Sequence, residues 1–197
     1  MRQKVLLAVV TLLAVLLVGA PTAFANPNLL VNGSFENGDF SGWSHTGDTS
    51  FDSVQCGGGA QDGICFASLG PVGDQGFLSQ TFATTAGAQY TFSFWLLATG
   101  DDPSNFSASW DGTQVFSQSD PNTGGVWQEF SFTEMGTGSD NIQLSYRDDP
   151  AFLNLDNVSV SLTGGGGTTP EPSSLLLMGS GLLTVGGVIR RKLRANR

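Results

Sequence analysis

The stretch QYTFSFWL at residues 89–96 decides the class of fold. Its apolar residues Tyr90, Phe92, Phe94 and Leu96 stand at every second position. This spacing is the period of a β-strand, because successive side chains of a strand point to opposite faces of the sheet. The stretch therefore predicts a strand that buries one of its faces in a core.

Nine other short runs with similar composition occur between residues 26 and 162, and no helical pattern interrupts them. Turns rich in Gly, Asp and Asn separate the runs. Ten short strands in one domain predict an all-β sandwich rather than alternating βαβ units. The other predicted strands are Leu29–Val31, Phe51–Val54, Cys65–Leu69, Phe77–Phe82, Phe106–Trp110, Gln114–Phe116, Trp127–Phe132, Ile142–Tyr146 and Leu155–Leu162.

The first 25 residues have the organisation of a signal peptide. Arg2 and Lys4 form a positively charged start, Val5–Val18 is apolar, and residues 23–25 read Ala-Phe-Ala, a typical cleavage site. The apolar run is too short for a membrane helix. The sequence therefore predicts export and a mature chain that starts at Asn26.

The predicted domain, residues 26–162, is strongly acidic. The chain has 8 Lys and Arg residues and 17 Asp and Glu residues. The domain keeps a single basic side chain, Arg147, against sixteen carboxylates, which gives it a formal charge of −15. Such a surface repels nucleic acids and anionic lipids, and it favours neutral partners or divalent cations. This charge excludes nucleic-acid binding.

Cys56 and Cys65 are the only cysteines of the chain, and eight residues separate them. In an exported protein, a pair this close predicts one disulfide across a flexible loop. A metal site is less favoured, because there is no second thiol pair and the only histidine is His45. We expect His45 to lie in a solvated loop.

The last 28 residues have three parts that together indicate a membrane segment. A Pro-Glu-Pro triplet stays extended, because two prolines fix φ and remove backbone donors. The run Ser173–Ile189 has no charge over 17 residues, which is about 25 Å as a helix against ~30 Å of hydrocarbon. A basic end then stays on the cytoplasmic side. The triplet is Pro170, Glu171 and Pro172, and the basic end begins with Arg190, Arg191 and Lys192.

We therefore expect a single C-terminal transmembrane helix, joined to the domain by a Gly- and Thr-rich linker at residues 163–169. Residues 170–197 resemble the PEP-CTERM sorting signal of Gram-negative bacteria. The resemblance implies that an exosortase, a membrane protease, recognises the triplet and processes the tail. The protein would then pass from an inner-membrane intermediate to the cell surface or the extracellular matrix. A plain membrane anchor is the alternative, although four glycines and a short span make a poor one.

The two ends of the domain resemble a second family. Residues 28–36, NLLVNGSFE, with Trp43 shortly after, and residues 155–160, LDNVSV, look like the first and last strands of galactose-binding-like jelly rolls. That fold includes several carbohydrate-binding modules. The resemblance implies a structural calcium ion where the two strands approach, with Glu36 and Asp156 among its ligands. A purely hydrogen-bonding role for both carboxylates remains the alternative.

Aromatic side chains are the candidates for sugar binding on a sandwich, because flat rings stack on the C–H groups of pyranoses. Trp95 stands opposite the apolar face of its strand, and Trp110 precedes a turn. Any single tryptophan is more often a core residue than a binding platform. The four candidates are Trp43, Trp95, Trp110 and Trp127.

These observations favour an exported, surface-sorted protein whose domain is a non-catalytic binding module for neutral polysaccharide. A structural matrix or adhesion protein without a defined ligand is the alternative. A glycoside hydrolase is a more distant one: sixteen carboxylates could supply a catalytic pair, but no motif for a nucleophile, a metalloprotease or a phosphate loop occurs. Two carboxylates that face each other in a cleft would favour the hydrolase.

Overall fold

The computed structural model describes residues 26–149 and 151–163. The predicted signal peptide, nearly all of the linker and the sorting tail lie outside these residues. No helix within the described ranges is long and apolar enough to cross a membrane. The strands of the described residues are β1 Ser44–Gly47, β2 Ser53–Cys56, β3 Cys65–Leu69, β4 Gly76–Ala83, β5 Gln89–Leu97, β6 Ser104–Trp110, β7 Thr113–Ser119, β8 Gln128–Met135, β9 Ser139–Asp148 and β10 Leu153–Leu162.

The strands form two five-stranded antiparallel sheets. Sheet A has the order β1-β4-β9-β6-β7, and sheet B has the order β2-β3-β10-β5-β8. Neighbouring strands in a sheet are often distant along the chain, as β4 and β9 are, so long connections cross between the sheets. The predicted class, an all-β sandwich, is confirmed.

The core lies between the inner faces of the two sheets, and β5 supplies its centre. Tyr90, Phe92, Phe94 and Leu96 are all buried, as their spacing predicts. Phe94 packs against Phe106 of sheet A with 5.2 Å between the ring centroids. Each such side chain contributes about 2–3 kcal/mol through the apolar surface that it removes from water.

The predicted strand Leu29–Val31 is wrong, because it meets β10 through a single backbone hydrogen bond, from Leu29 N to Val160 O at 2.8 Å, and the side chain of Asn28 makes the neighbouring bonds. Its Oδ1 accepts a hydrogen bond from Val160 N, and its Nδ2 donates one to Val158 O, both at 2.9 Å. Asn32 then adopts a φ of 54°, which turns the chain. The first strand is instead β1, whose sequence lacks the apolar alternation that would predict a strand.

His45 lies in β1 and not in the solvated loop that the sequence suggested. Its Nε2 is 2.8 Å from Oδ2 of Asp52, which also accepts a 2.8 Å hydrogen bond from the Tyr146 hydroxyl. The other oxygen of Asp52 accepts a bond from Gly70 N at 3.0 Å. Burial, and then the charge of Asp52, raise the pKa of the Tyr146 phenol. Asp52 thereby ties sheet A to the end of β3 in sheet B.

Candidate functional site

The outer face of sheet A, directed away from the core, carries hydroxyl and carboxamide side chains in rows across the strands. The strand register aligns three such rows. We call this surface the polar face. Its first row is Thr46, Phe77, Ser145, Ser107 and Ser117; its second is Ser44, Ser79, Gln143, Ser109 and Gln114; its third is Arg147, Asn105 and Ser119.

The polar face differs in charge from the rest of the domain. None of its thirteen positions is a carboxylate, although sixteen Asp and Glu residues lie between Asn26 and Leu162. Its one ionised side chain is Arg147, which is also the only Lys or Arg of the domain. A surface of this kind offers donors and acceptors to a hydroxylated partner without a desolvation cost for buried charge.

Hydrogen bonds orient several side chains of the polar face before any ligand arrives. Ser145 is only 8% exposed, although it points outward, and its Oγ donates to Gln75 Oε1 at 2.5 Å. Gln75 Nε2 in turn donates to Asn105 Oδ1 at 3.0 Å. This chain fixes the direction of both carboxamides, so a ligand meets groups that need little further ordering.

Arg147 lies at the end of the third row, and its guanidinium group does not use all of its N–H donors. Its Nη2 lies 3.4 Å from Asp149 Oδ2, a long contact for an ion pair. Its Nε is buried and has no partner within the described part of the chain. The side chain is partly exposed, so its remaining N–H groups are available to an acceptor such as a sugar oxygen.

The outer face of sheet B is covered at one end by the loop of residues 57–64. Asp156, on the outer side of β10, accepts hydrogen bonds from Gln61 N at 2.8 Å and Asp62 N at 3.0 Å. Trp127 Nε1 donates to Gly59 O at 2.8 Å. These contacts hold the loop against the sheet.

The predicted disulfide between Cys56 and Cys65 is confirmed, and it closes this same loop. Glu36 fastens the loop from a third direction, since its Oε1 accepts bonds from Ile64 N at 2.8 Å and Cys65 N at 2.7 Å. Gly63 has a φ of 63°, and a Cβ there would lie 2.3 Å from the Glu36 carboxyl carbon. Only glycine allows the loop to approach this closely.

Glu36 and Asp156 therefore converge on one loop, where the sequence predicts a calcium ion. Calcium takes six to eight oxygen ligands. Among residues 26–149 and 151–163, no group of three or more His, Cys, Asp or Glu side chains could hold a metal. Amide N–H groups already point at both carboxylates. Burial raises the pKa of Asp156, and those N–H groups oppose the rise only in part. The calcium ion stays a prediction that these contacts do not support.

Two of the four tryptophan candidates are core residues, which corrects their suggested role in binding. Trp110 is buried against Phe82, with 5.3 Å between the ring centroids. Trp43 is buried beside Phe35 at 5.9 Å, and its Nε1 donates to Asn32 O. Neither ring can offer a face to a sugar.

The other two tryptophans lie on the outer side of sheet B rather than on the polar face. Trp95 is half-buried between β10 and β8, where it pairs with Asp156 and Glu129. Trp127 is half-buried and meets Phe66 edge to face at 5.8 Å. The structure thus divides the candidates between the core and the partly covered face.

The carboxylates of Asp140 and Asp111 are neighbours, and the surroundings of Asp140 do not suit hydrolysis. Asp140 is buried, and it accepts hydrogen bonds from Thr84 and from the backbone and hydroxyl of Thr137. Burial alone would raise the pKa of Asp140, but these bonds lower it to about 2. Burial raises the pKa of its neighbour Asp111. A carboxylate enclosed by threonines holds a turn together and has no access to a glycosidic bond.

The two antiparallel sheets define the class of protein as a β-sandwich. The family model described as carbohydrate binding domain, CBM_4_9, matches residues 27–145, more than half of the chain. The chain belongs to this family. A second model, the PEP-CTERM protein-sorting motif, matches residues 168–192. A motif of that kind implies export to the surface or exterior of a Gram-negative bacterium. No curated protein matches the chain.

Solved structures share the fold at low sequence identity. TmCBM61 in complex with beta-1,4-galactotriose has a TM-score of 0.59 and 20% identity, over 69% of this chain and 99% of that one. The CBM22-1 xylan-binding domain of Paenibacillus barcinonensis Xyn10C has a TM-score of 0.51 and 20% identity, over 72% and 97%. The K1 cleaved adhesin domain of Lys-gingipain from Porphyromonas gingivalis W83 has a TM-score of 0.53 and 12% identity, over 66% and 96%.

The polar face itself was missed by reasoning from the sequence. Its residues alternate with the core residues in each strand, as the residues of any solvent-facing side do. One signal was available. Among the outward positions of β6 and β9 are Asn105, Ser107, Gln143 and Ser145, and none of these positions is a carboxylate in a domain with a charge of −15.

Proposed function

We propose that this protein is delivered to the bacterial surface, where it binds a neutral polysaccharide through the polar face without cleaving it. Membership of a carbohydrate-binding family and the sorting motif support the two halves of this proposal. An exosortase would release or transfer the domain after the membrane step, as the motif implies. A polysaccharide of the extracellular matrix is the expected partner.

The observation that carries the proposal is the absence of carboxylates from the polar face of an otherwise acidic domain. Carboxamide and hydroxyl groups form the directional hydrogen bonds that sugar hydroxyls require. Phe77 adds one half-buried aromatic ring within the first row, next to Ser145. An anionic polysaccharide would be repelled by the surrounding charge, which leaves a neutral chain as the better partner.

The direct test is affinity electrophoresis of the exported, disulfide-bonded protein in gels that contain neutral or anionic soluble polysaccharides. We expect retardation by at least one neutral glucan, galactan or xylan, and no retardation by an anionic one. The double variant Asn105→Ala, Gln143→Ala should migrate as if no polysaccharide were present. The matched control, Ser131→Ala with Thr133→Ala on the outer side of β8, should be retarded like the wild type. Equal retardation of both variants would refute the polar face as the site.

Delivery is tested separately by the intact mass of the protein recovered from the cell surface and from the medium. A chain that starts at Asn26 and ends near residues 170–173 is the expected product. A mass that runs from Asn26 to Arg197 would instead show an unprocessed membrane-tethered protein. That result would leave the carbohydrate site unaffected, because it concerns only the tail.

A further inference from the structure

Three large apolar side chains are exposed around one turn at an end of the sandwich. The turn is Gly70-Pro71, which follows β3. Phe51 is 67% exposed, Val72 is 46% exposed and Phe152 is 45% exposed. We call these three residues the apolar end patch. Exposed apolar groups are ordinary when scattered, but a cluster that includes two aromatic rings indicates an interaction site.

The strand order of sheet B places the two rings on opposite sides of Gly70. Strand β3, which ends just before Gly70, lies between β2 and β10. Phe51 lies two residues before β2, and Phe152 lies one residue before β10. A Cβ at Gly70 would be 2.6 Å from ring carbons of Phe152, so this ring rests directly on the glycine backbone. The absence of a side chain at position 70 lets the Phe152 ring pack this closely.

Phe51 is held outward in a conformation that an aromatic residue rarely adopts. Its φ is 65°, in the left-handed region where a bulky residue is strained. The next residue, Asp52, is fixed by its bonds to Gly70 N, the Tyr146 hydroxyl and His45. Strain of this kind costs on the order of 1–3 kcal/mol, and it is found most often at binding sites. A glycine or asparagine would fill the turn at lower cost.

We propose that the apolar end patch is a second carbohydrate-contacting site, which stacks a neutral sugar ring on Phe51 and Phe152. This inference rests on the proposed function, since it assigns a further contact to the same class of ligand. The charge of the domain argues for that occupant. An anionic lipid surface would be repelled by a domain of charge −15, and so would a second copy of the chain. Three side chains are also too few for the ~800 Å² per partner of a stable protein interface.

The segment of residues 70–75 connects the apolar end patch to the polar face. It begins at the Gly70-Pro71 turn and ends at Gln75, whose side chain bonds Ser145 and Asn105 of the polar face. Gln75 O also accepts a hydrogen bond from Asp48 N, in the turn that precedes Phe51. Two sites joined in this way would let one domain hold a long polysaccharide at two points, or hold two chains together. Simultaneous contact would raise the overall affinity beyond that of either site.

The test uses the full exported chain with its disulfide, and a soluble neutral polysaccharide that the wild type binds. The variants are Phe51→Gly and Phe152→Ala, with Val126→Ala as the control for an exposed apolar residue elsewhere. We expect each patch variant to weaken binding about 5-fold, in line with the loss of one stacked ring, and the control to bind normally. Because glycine accepts a φ of 65°, Phe51→Gly should unfold at the same temperature as the wild type or higher. Weaker binding then cannot be attributed to misfolding.

Three experimental outcomes distinguish this inference from the proposed function and from self-association. If both patch variants bind like the wild type while the double variant Asn105→Ala, Gln143→Ala does not, the second site is refuted and the polar face stands. If the wild type binds no polysaccharide, the proposed function fails and the second site fails with it. If sedimentation shows that the wild type self-associates and the patch variants do not, the patch is a contact between copies, and the inference is wrong.

Discussion

The outer faces of the two sheets have the same strand geometry and opposite surroundings. The polar face of sheet A is uncharged apart from Arg147, and Gln75 orients its Asn105 and Ser145 side chains. The outer face of sheet B lies partly beneath the disulfide loop, which Glu36 and Asp156 hold through backbone N–H groups. The comparison shows that connections outside the sheets, and not the strands themselves, decide which face is open to a ligand.

The difference also separates stability from recognition. The disulfide and the hydrogen bonds of Glu36 and Asp156 hold the loop on sheet B in place. Sheet A presents groups whose removal costs little folding energy, because they already face water. Substitutions on one face should therefore change a property that substitutions on the other face leave alone.

Removal of the disulfide should have the largest effect. Cys56→Ser with Cys65→Ser should lower the free energy of unfolding by about 3 kcal/mol, the chain-entropy value for a loop of this length. Polysaccharide binding per folded molecule should not change, because the loop lies on sheet B. Urea unfolding and affinity electrophoresis on the same samples measure both quantities. A loss of binding without a loss of stability would show that the loop contributes to the carbohydrate site.

Asp148, the residue after Arg147, should limit stability from within sheet A. It is 1% exposed, and its Oδ1 has no partner within the described residues. Burial, followed by the charges of Asp101 and Asp149, raises its pKa from 3.8 to about 6. The folded state therefore prefers the protonated form. The ionised carboxylate therefore lowers the free energy of unfolding. This destabilisation is absent below pH 4, grows as the pH rises from 4 to 6, and stays constant above that range, at about 3 kcal/mol.

Asp148→Asn should accordingly stabilise the protein at pH 7 and flatten the pH dependence of unfolding between pH 4 and 6. The variant should not recover the whole 3 kcal/mol, because the new amide also lacks a partner. We expect its free energy of unfolding at pH 7 to rise by about 1–2 kcal/mol. Thermal unfolding across this pH range measures it. Asp149→Asn, on a partly exposed side chain, is the matched control and should change the profile far less. A profile that Asp148→Asn leaves unchanged would contradict the raised pKa.

Substitution on the polar face should produce a change in free energy that is smaller than that of disulfide removal and confined to binding. The double variant Asn105→Ala, Gln143→Ala removes two carboxamides and should weaken polysaccharide binding about 30-fold, or about 2 kcal/mol. Its unfolding temperature should remain near that of the wild type. Isothermal titration with a soluble oligosaccharide measures the affinity. An equal loss in Ser131→Ala with Thr133→Ala would remove the distinction between the faces.

Calcium should have the smallest effect. Because amide N–H groups already occupy the carboxylates of Glu36 and Asp156, we expect 1 mM calcium to shift the unfolding temperature by less than about 1 °C relative to a chelator. A rise of several degrees, abolished by Asp156→Asn, would show that the loop rearranges to bind the ion, as the resemblance to galactose-binding-like domains implies.

The sequence predicted the fold from features that sterics and burial determine locally. The alternation in residues 89–96 identified the central strand, since a period of two buries only one face. The short spacing of Cys56 and Cys65 identified their disulfide. The prediction of a strand at Leu29–Val31 was wrong for a different reason. The side chain of Asn28 supplies two of the bonds to β10 there, and a backbone propensity gives no sign of such a contact.

The candidate site was less predictable, because it depends on register and on which face a loop covers. Tryptophans were the natural candidates, yet Trp43 and Trp110 fill the core, and Trp127 donates to the disulfide loop. Serine and carboxamide residues draw no attention singly. They become a surface only when the register sets Ser107, Ser145 and Phe77 in one row across three strands. Long-range pairing of this kind is not visible in any local stretch.

The central claim is that the open polar face of sheet A, and not the covered face of sheet B, binds a neutral polysaccharide. Backbone amide chemical shifts of the isotope-labelled protein, followed during titration with a neutral oligosaccharide, test this most directly. We expect the amide chemical shifts to change along β4, β6 and β9, at residues such as Phe77, Asn105 and Gln143, and around the apolar end patch. Changes confined to the disulfide loop, Trp95 and Trp127 would contradict it.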